Sequence, residues 1–358
     1  MKPLAYAAPA WLPGAHLQTV WPLLLRGGIA LPDYRRERLP TPDGDFLDLD
    51  WIDGDAKTLG TPPANGNVPQ ARGAGTASAA SLPTASPMAK PLVVLFHGLE
   101  GSSASHYARA LMHAVAERGW HGVVVHFRGC SGEPNRLPRA YHSGDSAEIA
   151  WVLEKLSQRY AQLHAVGFSL GGNVLLKYLG ERGNQATLRS AAAVSVPYDL
   201  AAASRMLSRG IGLLYSRHFL RSLIPASLAK ARRFPGHPGY TRLDAIRSAR
   251  TLHDFDAAVT APLHGFSDAG DYYARSSSAR HLQGIDVPTL LLHAANDPFL
   301  PVAAIPRPDM LPGCVQLEVS TQGGHVGFVG GPLPGHLDWL PQRLLDHLGQ
   351  YARNNRVA

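Results

Sequence analysis

Leu163-His164-Ala165-Val166-Gly167-Phe168-Ser169-Leu170-Gly171-Gly172-Asn173 joins an apolar, strand-forming run to the helix-forming run Val174-Leu175-Leu176-Lys177-Tyr178-Leu179. At the join stands G-x-S-x-G, the strand-to-helix elbow that presents a serine at the tip of a tight turn. Gly167 and Gly171 carry no Cβ, so strand and helix can pass close on either side of Ser169. Five such residues also fall together by chance in a chain of 358 with 36 glycines. The flanking runs and two distant partners make the match informative.

A serine hydroxyl is a poor nucleophile until a base takes its proton. Histidine does this near neutral pH, and a carboxylate holds the imidazole in the tautomer that can accept. Of 17 histidines, His325 is singled out by its loop, Gln322-Gly323-Gly324-His325-Val326-Gly327-Phe328, whose glycines can bring a ring over the edge of a sheet. Most other histidines are expected at the surface or around the site, and His97 as a brace of the loop that follows its strand. Asp297, in Asn296-Asp297-Pro298-Phe299, follows the preceding strand. The order Ser, Asp, His is the one found where an elbow serine crowns an α/β sheet. The tetrahedral intermediate needs two further donors. The N–H of Leu170, after the serine, is the first. The N–H of Leu99, after the His97-Gly98 strand end, is the expected second.

Outward from the elbow the chain reads as strands alternating with helices: strands at 91–98, 122–127, 191–196, 288–293 and 315–319, and helices at 107–118, 145–160 and 337–351. Asp145 opens the second of these helices, with Glu148 as its capping-box partner. Continuous apolar strands fit a largely parallel sheet covered on both faces, with active groups at the carboxyl ends of the strands. Leu47, Leu49 and Trp51 alternate with Asp48 and Asp50, as in an early strand with one wet face. Four segments follow: an arm (1–40) rich in Pro, Trp and Leu and packed on the body; a first core part (41–200), interrupted by a flexible low-complexity insertion (54–89); a helical basic cap (201–285); and a second core part (286–358). In the cap, Leu207, Ile211, Leu214, Leu220, Ile224 and Leu228 roughly follow a helical repeat.

Hydrophobic residues make up 45 % and charged residues 17 %, a globular balance. No apolar run approaches the roughly 20 residues of a membrane span, and prolines interrupt the N-terminus, which makes a poor signal peptide. With two cysteines, Cys130 and Cys314, expected as buried packing residues, the reading favours a cytoplasmic protein without a disulfide framework. The net charge is +7, yet residues 201–250 alone hold ten basic side chains against the single acid Asp244, an excess of 9. No nucleic-acid module accompanies the charge, so no nucleic-acid partner is expected. No metal or organic cofactor is implied.

Several further stretches carry a family resemblance: W-L-P-G-A-H-L-Q-T (11–19), F-H-G-L-E-G-S-S (96–103), F-R-G-C-S-G (127–132), Y-H-S-G-D (141–145), G-F-S-L-G-G-N (167–173), H-G-F-S-D-A-G-D-Y-Y (264–273), N-D-P-F (296–299) and G-G-H-V-G-F (323–328). With these the chain resembles an α/β-hydrolase of the YheT-type branch, which includes the plant EMB8-like proteins and the mammalian abhydrolase-domain lipases. The elbow is shared by many hydrolases, while the arm and the 265–273 stretch are particular to the branch. The resemblance covers nearly the whole chain except 54–89. It implies the α/β-hydrolase fold and hydrolysis of carboxylic esters through Ser169, Asp297 and His325. The chain departs at Asn296, where the family often has a second aspartate, which leaves Asp297 as the only carboxylate there.

The expected substrate is a small-molecule ester, short-to-medium acyl or lipid-like. The arginines of the cap could meet an anionic membrane or merely keep an exposed cap soluble. A thioesterase or amidase would use the same triad. A non-catalytic binding protein on the fold is the remaining alternative, and the intact Ser169, Asp297 and His325 speak against it. Dehalogenase or epoxide-hydrolase chemistry is disfavoured, because those enzymes place an aspartate where Ser169 stands.

Overall fold

The structure is a computed structural model that describes residues 6–54 and 88–352; the expected flexible insertion lies almost wholly outside them. Eight strands form one sheet: β1 (Arg35–Pro40), β2 (Phe46–Ile52), β3 (Leu92–Phe96), β4 (His121–Val125), β5 (Leu163–Phe168), β6 (Ser190–Val194), β7 (Thr289–Ala294) and β8 (Val315–Ser320), in the order β1-β2-β4-β3-β5-β6-β7-β8. β2 pairs antiparallel with both β1 and β4, and the other pairings are parallel.

The continuous apolar strands are buried on both faces because helices cover both. Leu92, Val94 and Phe96 of β3 point to one core, and Val93 and Leu95 to the other. Helices α3 (Ser146–Ser157) and α4 (Leu170–Arg182) close the first core. Helix α2 (His106–Glu117) and the C-terminal helix Trp339–Ala352 close the second.

Four expectations change. β2 has no wet face, since all seven of its residues are buried. The strand β1, not read from the sequence, pairs Arg36 with Asp50 and Arg38 with Asp48 directly across the ladder, and each guanidinium grips its carboxylate through two bonds of 2.7–3.0 Å. The last residues of the arm are therefore an edge strand of the sheet. The capping box at the start of α3 does not form: Asp145 makes no cap bond. It is held instead by Arg139, while Glu148 takes the buried Arg128 at 2.6 Å. A charged partner outbids a backbone N–H for each carboxylate. The cysteines are free, as expected, but only half-buried.

The histidines divide between surface and interior. His97, His106, His121, His126, His164, His293 and His347 are buried; of these His97 braces the loop after β3 and His293 lies 3.6 Å from Asp297, both around the site as expected. Burial pushes the imidazole of His97 down to about 3 and those of His106, His293 and His347 to about 4, so all four are neutral in the folded chain at pH 7. Above about 6.5 they are neutral in the unfolded chain as well. Below it the unfolded chain binds protons that the folded chain refuses. Stability therefore falls as pH drops from about 6.5 towards 4, with each such histidine contributing up to about 1.4 kcal/mol per pH unit. Urea midpoints measured at pH 7, 6 and 5 should decline steadily; a flat profile would mean that these rings charge freely in the folded state.

Between β6 and β7 the chain builds the cap. Helices α5 (Leu200–Leu207) and α6 (Gly212–Arg233) lead it, and short helical turns follow as far as Gly284. The cap has its own small core around Leu220, Tyr240, Ile246, Phe255 and Val259. Two of its basic groups tie it to the body: Lys230 donates to the carbonyls of Pro138 and Arg139, and Arg233 to that of Asn135. The expected helical repeat holds only in part, because Ile211 and Leu214 are exposed.

Candidate active site

The elbow forms as its glycines require. Ser169 follows β5 directly and begins α4 with φ 50° and ψ −117°, a backbone region that costs a residue bearing a Cβ. A Cβ on Gly171 would lie 2.3 Å from the Phe96 carbonyl oxygen, and one on Gly167 would lie 2.6 Å from Gly172 Cα. The helix can therefore start tight against β3 and β5 only with glycine at both places. Positive φ recurs around Ser169, at Glu100, Ser195, Val326 and Phe328. Unfavourable backbone is thus gathered in the loops at the carboxyl ends of the strands.

Asp297 lies three residues past β7 and His325 five past β8. The three expected side chains meet. His325 Nε2 lies 2.9 Å from Ser169 Oγ, and His325 Nδ1 lies 2.9 Å from Asp297 Oδ2. Asp297 is buried; its Oδ1 accepts the Phe299 N–H at 2.8 Å. Burial alone would push its carboxyl up, but His325, His293 and the Phe299 N–H outweigh that and hold it below the usual carboxylate range. With Asp297 ionised, the proton of a neutral His325 sits on Nδ1 and Nε2 faces the serine as an acceptor. The Phe299 ring stacks on the imidazole at 4.0 Å between centroids.

Hydrogen bonds brace the loop after β3. His97 Nε2 accepts the Phe127 N–H at 3.1 Å, so its Nδ1 donates to the Gly98 carbonyl at 2.8 Å. His97 is a brace and not a base. Tyr107 Oη takes the Gly98 N–H and Tyr141 Oη takes the Glu100 N–H, both at 2.9 Å. Leu99, between them, lines the same cavity as Leu170 and Ser169. The N–H of Leu170, in the first turn of α4, has no acceptor within the helix.

The function of the arm was not legible. Gln18, on helix α1 (Ala15–Leu25), is fully buried and makes four bonds. Its Oε1 accepts from Gly323 N–H and from Asn296 Nδ2, both at 2.9 Å; its Nε2 donates to Leu12 O at 2.9 Å and to Gln322 Oε1 at 2.8 Å. Next to it, Thr19 Oγ1 accepts the N–H of His325 at 2.9 Å. Asn296 also accepts the Gly324 N–H at 3.0 Å. The departure at Asn296 thus has a use: an aspartate there would offer Gln18 Oε1 no donor. Gln18→Ala leaves buried donors unpaired, at a cost of about 1–3 kcal/mol, and loosens the loop that aims His325. Should the geometry govern turnover, kcat on an ester falls roughly 100-fold with KM little changed. Unchanged kcat in a folded variant would limit Gln18 to a structural part.

Asn173, at the end of the elbow motif, explains two other stretches. It donates to the carbonyls of Ser143 and Ser276 and accepts the Ser278 N–H, clamping both loops to α4.

Ser169 and His325 open into a cavity of about 400 Å³ between body and cap. Its wall is mainly apolar and includes Leu207, Phe219, Leu223, Phe255, Val259 and Leu300. The segment Asp256–Thr260 is one turn of π-helix, and Asp256, Val259 and Thr260 all face the cavity. Burial pushes the Asp256 carboxyl up to about 6, and it accepts from Thr260 Oγ1 at 2.6 Å and Tyr273 Oη at 2.8 Å. Nothing in the sequence around Asp256 marks it, since its partners come from packing within the cap.

Comparison with known proteins agrees with this architecture. A family model described as the alpha/beta hydrolase fold matches residues 91–332. YheT of Escherichia coli (strain K12), named only provisionally as an esterase, is 40 % identical over 94 % of this chain and 90 % of its own. The mouse (Mus musculus) phospholipase ABHD3 is 31 % identical over 86 % of this chain and 69 % of its own. Among solved structures, an esterase of Pyrococcus furiosus superposes with a TM-score of 0.51 at 14 % identity, covering 89 % of this chain and 91 % of that one. The chain belongs to the α/β-hydrolase fold family, in the branch that contains YheT.

Proposed function

We propose that this protein is a serine hydrolase of carboxylic esters, working through an acyl-enzyme intermediate on a Ser169-His325-Asp297 triad. The observation that carries the reading is the unbroken pair of 2.9 Å contacts from Ser169 through His325 to Asp297, with the serine facing an apolar cavity of about 400 Å³. Esterase, phospholipase and lipase names among the relatives support the class of reaction.

In this scheme Ser169 Oγ attacks the acyl carbon as its proton passes to His325 Nε2. Asp297 stabilises the imidazolium that forms. The N–H groups of Leu99 and Leu170 receive the oxyanion. His325 then returns the proton to the leaving alcohol, and water repeats the cycle on the acyl-enzyme. A cavity of this size and lining suits a short-to-medium acyl chain or one arm of a lipid-like ester. Each buried methylene is worth about 0.8 kcal/mol, so kcat/KM on p-nitrophenyl esters should rise up to fourfold or so per added methylene, then fall once the cavity is full. Turnover that ignores chain length would contradict an acyl site under the cap. Turnover confined to thioesters or amides would contradict the ester assignment.

A further inference from the structure

The face of α1 turned away from the His325 loop is unusual for a surface helix. Leu17, Val20 and Leu24 recur at i, i+3 and i+7, and are 52, 41 and 67 % exposed; Leu23, beside them, is 48 % exposed. The helix carries no charged side chain. Singly exposed leucines need no explanation, but a contiguous group marks a contact surface.

The start of α6 continues it. His16 Nδ1 meets Tyr215 Oη at 3.0 Å, which joins α1 to α6. Around that contact the cap exposes Ile211, Leu213 and Leu214, the last of them 62 % exposed. On α6, Leu214, Arg217 and Arg221 again follow i, i+3 and i+7, and all three are exposed. Neither arginine has an acidic partner among the described residues, and the same holds for Arg205 and Arg209 at the adjoining end of the cap. Leucines without charge, bordered by arginines without counter-ions, match a bilayer of anionic lipid: apolar side chains enter the interface and guanidinium groups meet the phosphates.

The location ties the surface to the site. Tyr215 packs on Phe299 at 4.8 Å, Phe219 lies 6.2 Å from the same ring, and Phe299 stacks on His325. Phe219 and Phe299 both line the cavity.

We infer that α1 and the first turns of α6 form a single docking surface for an anionic phospholipid membrane, placed beside the mouth of the cavity. That esters held in the bilayer are what the docked protein hydrolyses rests on the function proposed above. The docking itself does not, and it is read separately, by binding.

The experiment is co-sedimentation of the full chain with vesicles of phosphatidylcholine alone and of phosphatidylcholine with roughly a quarter phosphatidylglycerol. Wild type should bind the anionic vesicles at least about tenfold more tightly than the neutral ones. Arg217→Gln/Arg221→Gln should remove most of that preference, at about fivefold per arginine. Leu24→Glu/Leu214→Glu should abolish binding to both while its far-UV circular dichroism matches that of wild type, which shows the variant folded. Equal binding to the two vesicle types, no binding at all, or binding indifferent to the leucine changes would overturn the inference. So would a wild-type dimer in sedimentation velocity that Leu24→Glu dissociates, because the surface would then belong to a second copy of the chain.

Discussion

Ser169→Ala is expected to lower kcat on a carboxylic ester by about 10⁶-fold while the protein remains folded. Among the described residues the hydroxyl has one hydrogen-bond partner, His325 Nε2. Alanine keeps the Cβ that serine already holds at φ 50°, so the elbow gains no new strain. Its melting temperature should stay within a few degrees of wild type, as for a substitution that removes no packing. The loss falls on kcat because the attacking oxygen is gone, while the cavity that binds the acyl chain is untouched. Residual hydrolysis within about tenfold of wild type would mean that another nucleophile does the chemistry.

Asp297→Asn should cost about 10⁴-fold in kcat with the geometry intact. Asparagine is isosteric, and its carbonyl oxygen can keep the 2.8 Å bond from the Phe299 N–H. Its amide nitrogen then faces His325 Nδ1 as a donor. The ring must answer with an acceptor there, which moves its proton to Nε2, where it blocks the transfer from Ser169. His293 cannot stand in: its Nε2 lies 3.6 Å from Asp297 Oδ2, and burial holds it neutral, down to about 4. Because the three groups act as one unit, Ser169→Ala/Asp297→Asn should be no slower than Ser169→Ala alone. Kinetics of the two single variants and the double variant, with circular dichroism of each, check both statements. Independent, multiplying losses would show that Asp297 does not act through His325.

What the sequence made legible was local. G-F-S-L-G-G-N names an elbow because sterics at Gly167 and Gly171 demand glycine within five residues of each other. Asp297 and His325 could be picked out because each sits in a short loop just past a readable strand. The parts that escaped depend on partners far along the chain. Gln18 lies 305 residues from Gly323, and a buried glutamine looks like any other polar residue until its four partners are seen. β1 escaped because R-R-E-R-L-P reads as solvated charge. Only the register against Asp48 and Asp50 turns those arginines into cross-strand pairs and dries the outer face of β2. The capping box at α3 had the right spacing, but Arg128 and Arg139 claimed its carboxylates first. In the cap, helical periodicity foretold helices but not which leucines they bury, since that depends on α5, α6 and the turns after them packing together.

Ser169, as the activated nucleophile, should react with a reagent that phosphonylates such serines. The most direct test is to treat the wild-type protein with a fluorophosphonate, digest it, and locate the phosphonyl group by mass spectrometry. One modified residue is expected, Ser169, at the join of β5 and α4. A folded protein that takes up no label, or one modified at any other residue, would contradict this role of Ser169.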